Sequence, residues 1–106
     1  MHSFLSLISG VTMKVLGLLI LYKFCENHAD CSQQISTWIA EVQETVWTTP
    51  TDIKKRYVNT SFLADNRVVF NMKGNRYRLD TKVYYQRQLV VVKRIGTHAE
   101  YDGWKF

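Results

Sequence analysis

Three segments late in the sequence constrain its fold more than any other feature. After Asn59 the pattern changes to a period of two, and it is clearest in the middle segment, where apolar and polar residues alternate as in a β-strand with one buried face. The segments are residues 67–73, 76–85 and 89–95, and they are separated by Lys73-Gly74-Asn75 and Gln86-Arg87-Gln88. Both separators are typical of turns, so the sequence predicts three consecutive strands, of which the first two form a hairpin.

The preceding part of the chain has a helical period instead. A helix is predicted from a cap at Asp30-Cys31-Ser32 to about Trp47, because one apolar face recurs at three- and four-residue steps: Ile35, Trp38, Ile39, Val42 and Val46. Pro50 then fits the first turn of a short helical segment that reaches Tyr57. Residues 98–102 are predicted to form a short turn or helix.

The first 22 residues allow three interpretations, since Lys14 is the only charge between Phe4 and Tyr22. A transmembrane helix would carry Lys14 near its centre, at a cost of about 3 kcal/mol. A signal peptide starting at Met13 would lack a cleavage site after Tyr22. The favoured interpretation is a core strand starting near Met13, followed by a helix with a strongly apolar face.

The predicted fold class is therefore α+β, in the order β-α-α-β-β-β. It has a mostly antiparallel four-stranded sheet with the helices packed on one face. With 106 residues, of which 46% are hydrophobic, the chain is long enough for one buried core and is not a disordered tail. The expected organisation is an upstream extension, residues 1–12, and one domain, residues 13–106.

Charge is concentrated in the second half of the chain. Residues 1–50 have two basic and four acidic side chains, whereas residues 51–106 have twelve basic and five acidic ones, a balance of +7. Such a field attracts polyanions. A solvated basic face is the commoner explanation of any charge run alone, but the polar face of the middle strand combines Arg76, Arg78 and Lys82 with Tyr84, which suits base stacking in RNA.

The two cysteines, Cys25 and Cys31, do not indicate a metal or redox site. Their spacing of six residues is neither a CxxC pair nor a metal-ligand spacing. Reduced, partly buried thiols are expected.

Five short motifs, in order and spacing, resemble the HigB toxin family between about Met13 and Asp102. The motifs are Trp47-x-x-Pro50-x-Asp52-Ile53-Lys54, Asp65-Asn66-Arg67-Val68-Val69-Phe70-Asn71, Lys73-Gly74-Asn75-Arg76-Tyr77-Arg78-Leu79, Tyr85-Gln86-Arg87-Gln88 and Gly96-Thr97-His98-Ala99-Glu100-Tyr101-Asp102.

The resemblance implies a RelE/ParE-like fold and a cytoplasmic type II toxin. HigB toxins are messenger-RNA endonucleases that cut in the ribosomal A site, and a HigA antitoxin, usually a helix-turn-helix protein, holds them inactive. They use no metal or cofactor: a ribose 2′-OH attacks the adjacent phosphate. The partners implied are therefore a HigA-like antitoxin, mRNA and the ribosome, with no membrane.

The chemistry of the residues agrees with this reaction, which needs proton transfer and cationic stabilisation of a phosphorane. The expected catalytic residues are His98 for general acid/base work, Lys73 and Arg78 for charge stabilisation, and Tyr101 to orient or donate a proton. The expected RNA-binding residues are Arg67, Asn71, Arg76, Lys82, Tyr84, Arg87 and Lys93. Without the resemblance, His98 would be assigned to a turn or cap, and Arg67 and Arg87 to surface charge.

The chain departs from the family pattern in three places. Residues 17–21 are apolar where polar residues are usual, Arg94 stands where the family more often has an apolar residue, and the tail, residues 103–106, differs from the usual one. Two alternatives to the nuclease therefore stay open. One is a ParE-like toxin that binds DNA gyrase without cleavage, and the other is an inactive RNA-binding relic.

Overall fold

The computed structural model describes residues 12–106, so the expected upstream extension lies outside the described residues except for Thr12. The helices are α1 (Leu18–Asn27), α2 (Ser32–Gln43), α3 (Pro50–Arg56) and α4 (His98–Asp102), with a 3-10 turn at Ala29–Cys31. The strands are β1 (Lys14–Leu16), β2 (Ser61–Leu63), β3 (Arg67–Met72), β4 (Tyr77–Tyr84) and β5 (Leu89–Thr97).

The strands form one mixed sheet in the order β1-β5-β4-β3-β2. Only β1 is parallel to its neighbour, with Val15 opposite Val90. The α+β class is confirmed, but the predicted count of four strands is wrong because β2 adds a fifth at the edge. β2 was missed because three residues are too few to show a period of two. It pairs Phe62 with Val68 on β3.

A glycine joins β1 to α1 at the start of the described chain. Gly17 has φ +91°, and a Cβ there would lie 2.9 Å from the Val92 carbonyl oxygen, so a side chain is excluded on both grounds. The predicted strand and apolar helix are confirmed.

In residues 12–106, no helix has the length and apolar character needed to cross a membrane.

The helix α2 differs from its prediction at both ends. It stops at Gln43 instead of near Trp47, because the Thr45 carbonyl accepts the Met13 amide (2.9 Å) and the chain turns back to the core. Val46 is therefore 40% exposed, while Trp47 is buried. No side chain caps the first turn of α2, so the predicted cap at residues 30–32 is wrong; Asp30 binds Tyr77 instead.

Aromatic side chains connect the helices to the sheet. The Phe70 ring on β3 lies 5.3 Å from the Trp38 ring of α2 and 5.3 Å from the Tyr57 ring that follows α3. Trp47 stacks on the same Phe70 ring at 6.1 Å. These side chains fill the space between the sheet and the helices α2 and α3, and Leu21 of α1 is buried in the same core, so this face of the sheet is closed.

The opposite face of the sheet carries the polar residues, and we call it the open face. Its β4 positions are Arg78, Asp80, Lys82 and Tyr84, as the alternation predicted. The β3–β4 register puts Arg67 beside Lys82 and Asn71 beside Arg78. A β-bulge in β5 leaves Lys93 without a partner between the pairs Asp80–Arg94 and Thr81–Val92.

Candidate functional site

The open face has three parts, arranged along β4 over about 20 Å. The α4 end contains Asn71, Lys73, Arg78, His98 and Tyr101. The centre contains Arg67, Asp80 and Arg94, which we call the Asp80 cluster. The turn end contains Lys82, Tyr84 and Arg87, around the β4–β5 turn.

A capping box fixes His98 at the α4 end. The Thr97 hydroxyl accepts the Glu100 amide at 3.1 Å, and the Glu100 carboxylate accepts the Thr97 amide at 2.7 Å, so α4 begins at His98. The His98 amide donates to the Arg76 carbonyl at 2.9 Å, which ties α4 to the β3–β4 turn. The first residue of α4 is therefore fixed in position, and this residue is His98, the predicted general acid/base.

Arg78 and Tyr101 pack against each other at the same end of the sheet as His98. The Arg78 guanidinium lies 5.1 Å from the centre of the Tyr101 ring, and it donates to the Asn75 carbonyl at 2.8 Å. Tyr101 stands three residues after His98, which places both side chains on one side of the short helix. The structure thus brings three of the four predicted catalytic residues to one end of the sheet.

The fourth predicted catalytic residue, Lys73, lies in the adjoining β3–β4 turn. Its backbone is left-handed (φ 51°), and its amide donates to the Gln34 side chain of α2 at 2.6 Å. Its side chain is exposed. Asn71, a predicted RNA-binding residue, donates to the Asn75 side chain across the same turn at 3.2 Å.

His98 is accessible enough to exchange a proton with a bound molecule. Its side chain is 52% exposed, and Nδ1 lies 3.4 Å from the Asp102 carboxylate one turn later in α4. A carboxylate at that ring nitrogen can orient the imidazole. Nε2 is then the nitrogen that is left for a substrate.

The centre of the open face is an ion cluster that the sequence did not reveal. Asp80 is fully buried, and its carboxylate accepts from Arg67 Nε at 3.1 Å and from Arg94 Nε at 2.8 Å. Arg67 also makes a second, short bond to Asp80 through Nη2. Arg67 was expected to bind RNA directly, but its guanidinium edge is engaged by a carboxylate.

Arg76 does not lie on the open face, which corrects the strand-based prediction. It precedes β4 in the turn and pairs with Asp30 of the 3-10 turn at 3.0 Å. The Tyr77 hydroxyl donates to the same carboxylate at 2.7 Å. These contacts hold the pKa of Asp30 below its usual range, and the hydrogen bond from Tyr77 has the largest effect.

The turn end is cationic and aromatic. A shallow cavity of about 350 Å³ is lined by Asn66, Tyr84, Tyr85, Gln86 and Arg87. The Lys82 ammonium lies 5.6 Å from the centre of the Tyr84 ring. Lys82 and Tyr84 are half-buried and Arg87 is exposed. Three predicted RNA-binding residues therefore lie together, but away from His98.

The cysteines are free thiols, as expected. Cys31 is buried, and burial raises the pKa of its thiol to about 11, so it stays protonated at neutral pH. Within residues 12–106, no cluster of three or more His, Cys, Asp or Glu side chains could hold a metal ion.

The sequence-based prediction missed the residues that complete the centre: Arg94, Trp104 and Phe106. Arg94 looked like a departure from an apolar position, yet it pairs with Asp80 across the β4–β5 register. One sequence signal was available elsewhere, since Thr97-x-x-Glu100 has the spacing of a capping box before His98.

Comparison with known proteins identifies the family to which the domain with this open face belongs. A family model described as HigB_toxin, RelE-like toxic component of a toxin-antitoxin system, matches residues 31–104. No curated protein matches the chain. The matched residues include α2 to α4, all of β2 to β5 and the residues named above for the three parts of the open face. This chain therefore belongs to the HigB toxin family, the RelE-like toxic components of toxin–antitoxin systems.

Proposed function

We propose that this toxin is a ribosome-dependent mRNA endonuclease, and that the α4 end is its reaction site. The observation that carries the proposal is that the Arg78 guanidinium packs on the Tyr101 ring at the α4 end, the end of the cationic sheet face that also carries the exposed His98. A binding module has no need of an accessible imidazole beside a guanidinium and a phenol. A transfer from a ribose 2′-OH to the adjacent phosphate requires groups of these kinds.

Each group has a role in that transfer. His98 moves a proton, either from the 2′-OH or to the departing 5′-oxygen, and Asp102 steadies its ring. Arg78 neutralises the charge that develops on the phosphorane, and Lys73 in the neighbouring turn adds a second cation. Tyr101 lies against Arg78 and positions it or donates a proton. No step requires a metal ion.

The remainder of the open face supports RNA binding. Lys82, Arg87 and Lys93 have no carboxylate within salt-bridge distance in residues 12–106, so their charges are available for phosphates. Tyr84 offers a ring for a base. The RNA would cross the face from the turn end to the α4 end.

The family also implies a partner. A toxic component of a toxin–antitoxin system acts together with an antitoxin, and we propose that this one is a HigA-like helix-turn-helix protein. The ribosomal A site would present the message to the α4 end.

The test is primer extension on a reporter message after brief induction of the toxin. Wild-type protein is expected to cut within codons of the translated message and to spare the same message without its start codon. His98→Ala should lower cutting at least about a hundredfold, the usual loss of a general acid/base. Arg76→Ala is the matched control and should cut like wild type, because Arg76 is a basic side chain tied to Asp30, off the open face.

Two results would contradict the proposal. Growth arrest with intact message would point to a non-cleaving toxin of the gyrase-binding kind. Undiminished cutting by His98→Ala, in a protein with the wild-type melting temperature, would remove the reaction from the α4 end.

A further inference from the structure

The tail, residues 103–106, lies on the Asp80 cluster. The Trp104 ring stacks on the Arg94 guanidinium, 4.4 Å from its central carbon. The Phe106 ring lies 4.9 Å from the Arg94 guanidinium and 5.0 Å from that of Arg67. Arg94 also donates to the Lys105 carbonyl at 3.0 Å. Two aromatic rings thus cover the two arginines that share Asp80.

The strand beneath is shaped to receive the tail. Gly96 on β5 has no side chain, and a Cβ there would lie 2.9 Å from Cζ2 of Trp104. Tyr101 packs its ring edge-on against Trp104 at 5.6 Å and against Phe106 at 6.3 Å. The tail therefore packs in a defined position between α4 and the Asp80 cluster.

The two guanidiniums under the tail are chemically suited to bind nucleobases. The Asp80 carboxylate accepts hydrogen bonds from N–H groups at the edge of each guanidinium. The flat faces of the Arg67 and Arg94 guanidiniums therefore stay available for stacking. Unpaired bases in RNA stack on arginine planes as aromatic side chains do. The cluster also lies midway between the α4 end and the turn end, so an RNA strand that touches both must cross the tail.

We propose that Arg67 and Arg94 form a stacking subsite for unpaired nucleobases, and that Trp104 and Phe106 occupy this subsite until RNA displaces them. The proposal rests on the proposed function in one respect only, namely that the ligand of the open face is single-stranded RNA. The tail thereby competes with the substrate, and the stacking of a base on Arg94 replaces the stacking of Trp104.

The first test compares binding of a short single-stranded 2′-O-methyl RNA, which cannot be cleaved, with binding of an abasic strand of equal charge. The double variant Trp104→Ala/Phe106→Ala should bind the base-containing strand roughly five- to tenfold more tightly than wild type, since it lacks the competing rings. Its affinity for the abasic strand should not change. Tyr22→Ala is the control, because Tyr22 is an exposed aromatic residue on α1, off the open face, and both affinities should stay at wild-type values.

The second test uses the fluorescence of Trp104. The other two tryptophans, Trp38 and Trp47, are only 1% and 3% exposed, so a change in emission on RNA binding reports mainly on Trp104. The 2′-O-methyl RNA should shift wild-type emission to longer wavelength as the ring enters water. Trp104→Phe should show no shift.

The outcomes separate this proposal from the nuclease. Equal or weaker binding by the double variant, equal gains for both strands, or no measurable binding by either protein would overturn the subsite, whether or not the toxin cuts messages. An emission shift to shorter wavelength would also overturn it, because Trp104 would then be stacking on RNA instead of leaving. A base-dependent gain without message cleavage would support the subsite and reject the nuclease.

Discussion

At the scale of single residues, Asp80 is the side chain whose surroundings matter most. Its carboxylate is fully buried and is shared by Arg67 and Arg94, whose side chains are 20% and 34% exposed. Burying a carboxylate is tolerable only when hydrogen bonds and opposite charge compensate it, and here two guanidiniums do so. The cluster has a net charge of +1 and holds both guanidinium planes in fixed positions on the open face.

Removal of this carboxylate should be costly. Asp80→Ala leaves two partly buried cations without a partner, and we expect a loss of about 3 kcal/mol in the free energy of unfolding, the low end for a broken buried pair because both arginines still reach water. Urea denaturation measures it. Asp102→Ala, a carboxylate on α4 that is 64% exposed, should change stability by less than about 0.5 kcal/mol.

The triple variant Arg67→Leu/Asp80→Val/Arg94→Ile should recover most of that loss, since apolar residues can replace a buried ion triad when all of its members are replaced together. A triple variant as unstable as Asp80→Ala would show that packing of the Asp80 site, and not its charge, is what the fold requires.

At the scale of elements, the short helices α3 and α4 depend on their first turns. A helix of five or seven residues gains little from its own hydrogen bonds, so its end groups decide its position. Asp52 accepts the Thr48 amide and hydroxyl, each at 2.9 Å, and the Thr49 amide at 3.2 Å. These bonds hold the pKa of Asp52 below its usual range, and the hydrogen bond from the Thr48 amide has the largest effect.

A pH dependence of stability follows from this lowered pKa. Because the folded state binds the Asp52 proton more weakly than the unfolded state does, the contribution is complete above the unfolded pKa and is lost as the pH falls through the folded one. Glu41, bound by the Tyr57 hydroxyl and by Arg56, has a lowered pKa and acts in the same direction. We expect the free energy of unfolding to fall between about pH 5 and pH 2.

Asp52→Asn should flatten this fall and should lower stability near pH 7 by about 1 kcal/mol, a typical value for a cap. Thermal unfolding across the pH range measures both effects. A wild-type curve and a variant curve of the same slope would contradict the assignment to Asp52.

At the scale of the whole molecule, the distribution of paired and unpaired charges governs RNA binding. Five cations near the α4 end, the bulge and the turn end, which lie along the proposed path of the RNA, have no carboxylate partner in residues 12–106: Lys73, Arg78, Lys82, Arg87 and Lys93. Release of counterions by five phosphate contacts should give a slope of about −3.5 for log affinity against log salt with single-stranded RNA.

Single variants then separate paired from unpaired cations. Lys82→Ala should make the slope shallower by about 0.7, the value of one phosphate contact. Arg76→Ala should leave it unchanged, because Arg76 is committed to Asp30. The dissociation constant of the 2′-O-methyl RNA at several salt concentrations measures both slopes, and an equal effect of the two variants would contradict this division of the charges.

Much of the fold follows from patterns between near neighbours in the sequence. A period of two gave β3 to β5, and a period near four gave the buried face of α2, because each pattern repeats within one element. Proline and the capping residues located α3. The same local signals brought Lys73, Arg78, His98 and Tyr101 under consideration as one chemical set, once the family motifs were in view.

The sequence by itself therefore determined most of the elements, though not β2, together with the family and the excess of cations in the second half. Only the tertiary structure decided which cations are free: Arg76 binds Asp30, Arg67 and Arg94 share Asp80, and the tail covers the pair. It also decided that β1 lies parallel to β5. The physical reason is distance along the chain, since a partner 13 to 46 residues away is set by strand register and packing, and no local period records it.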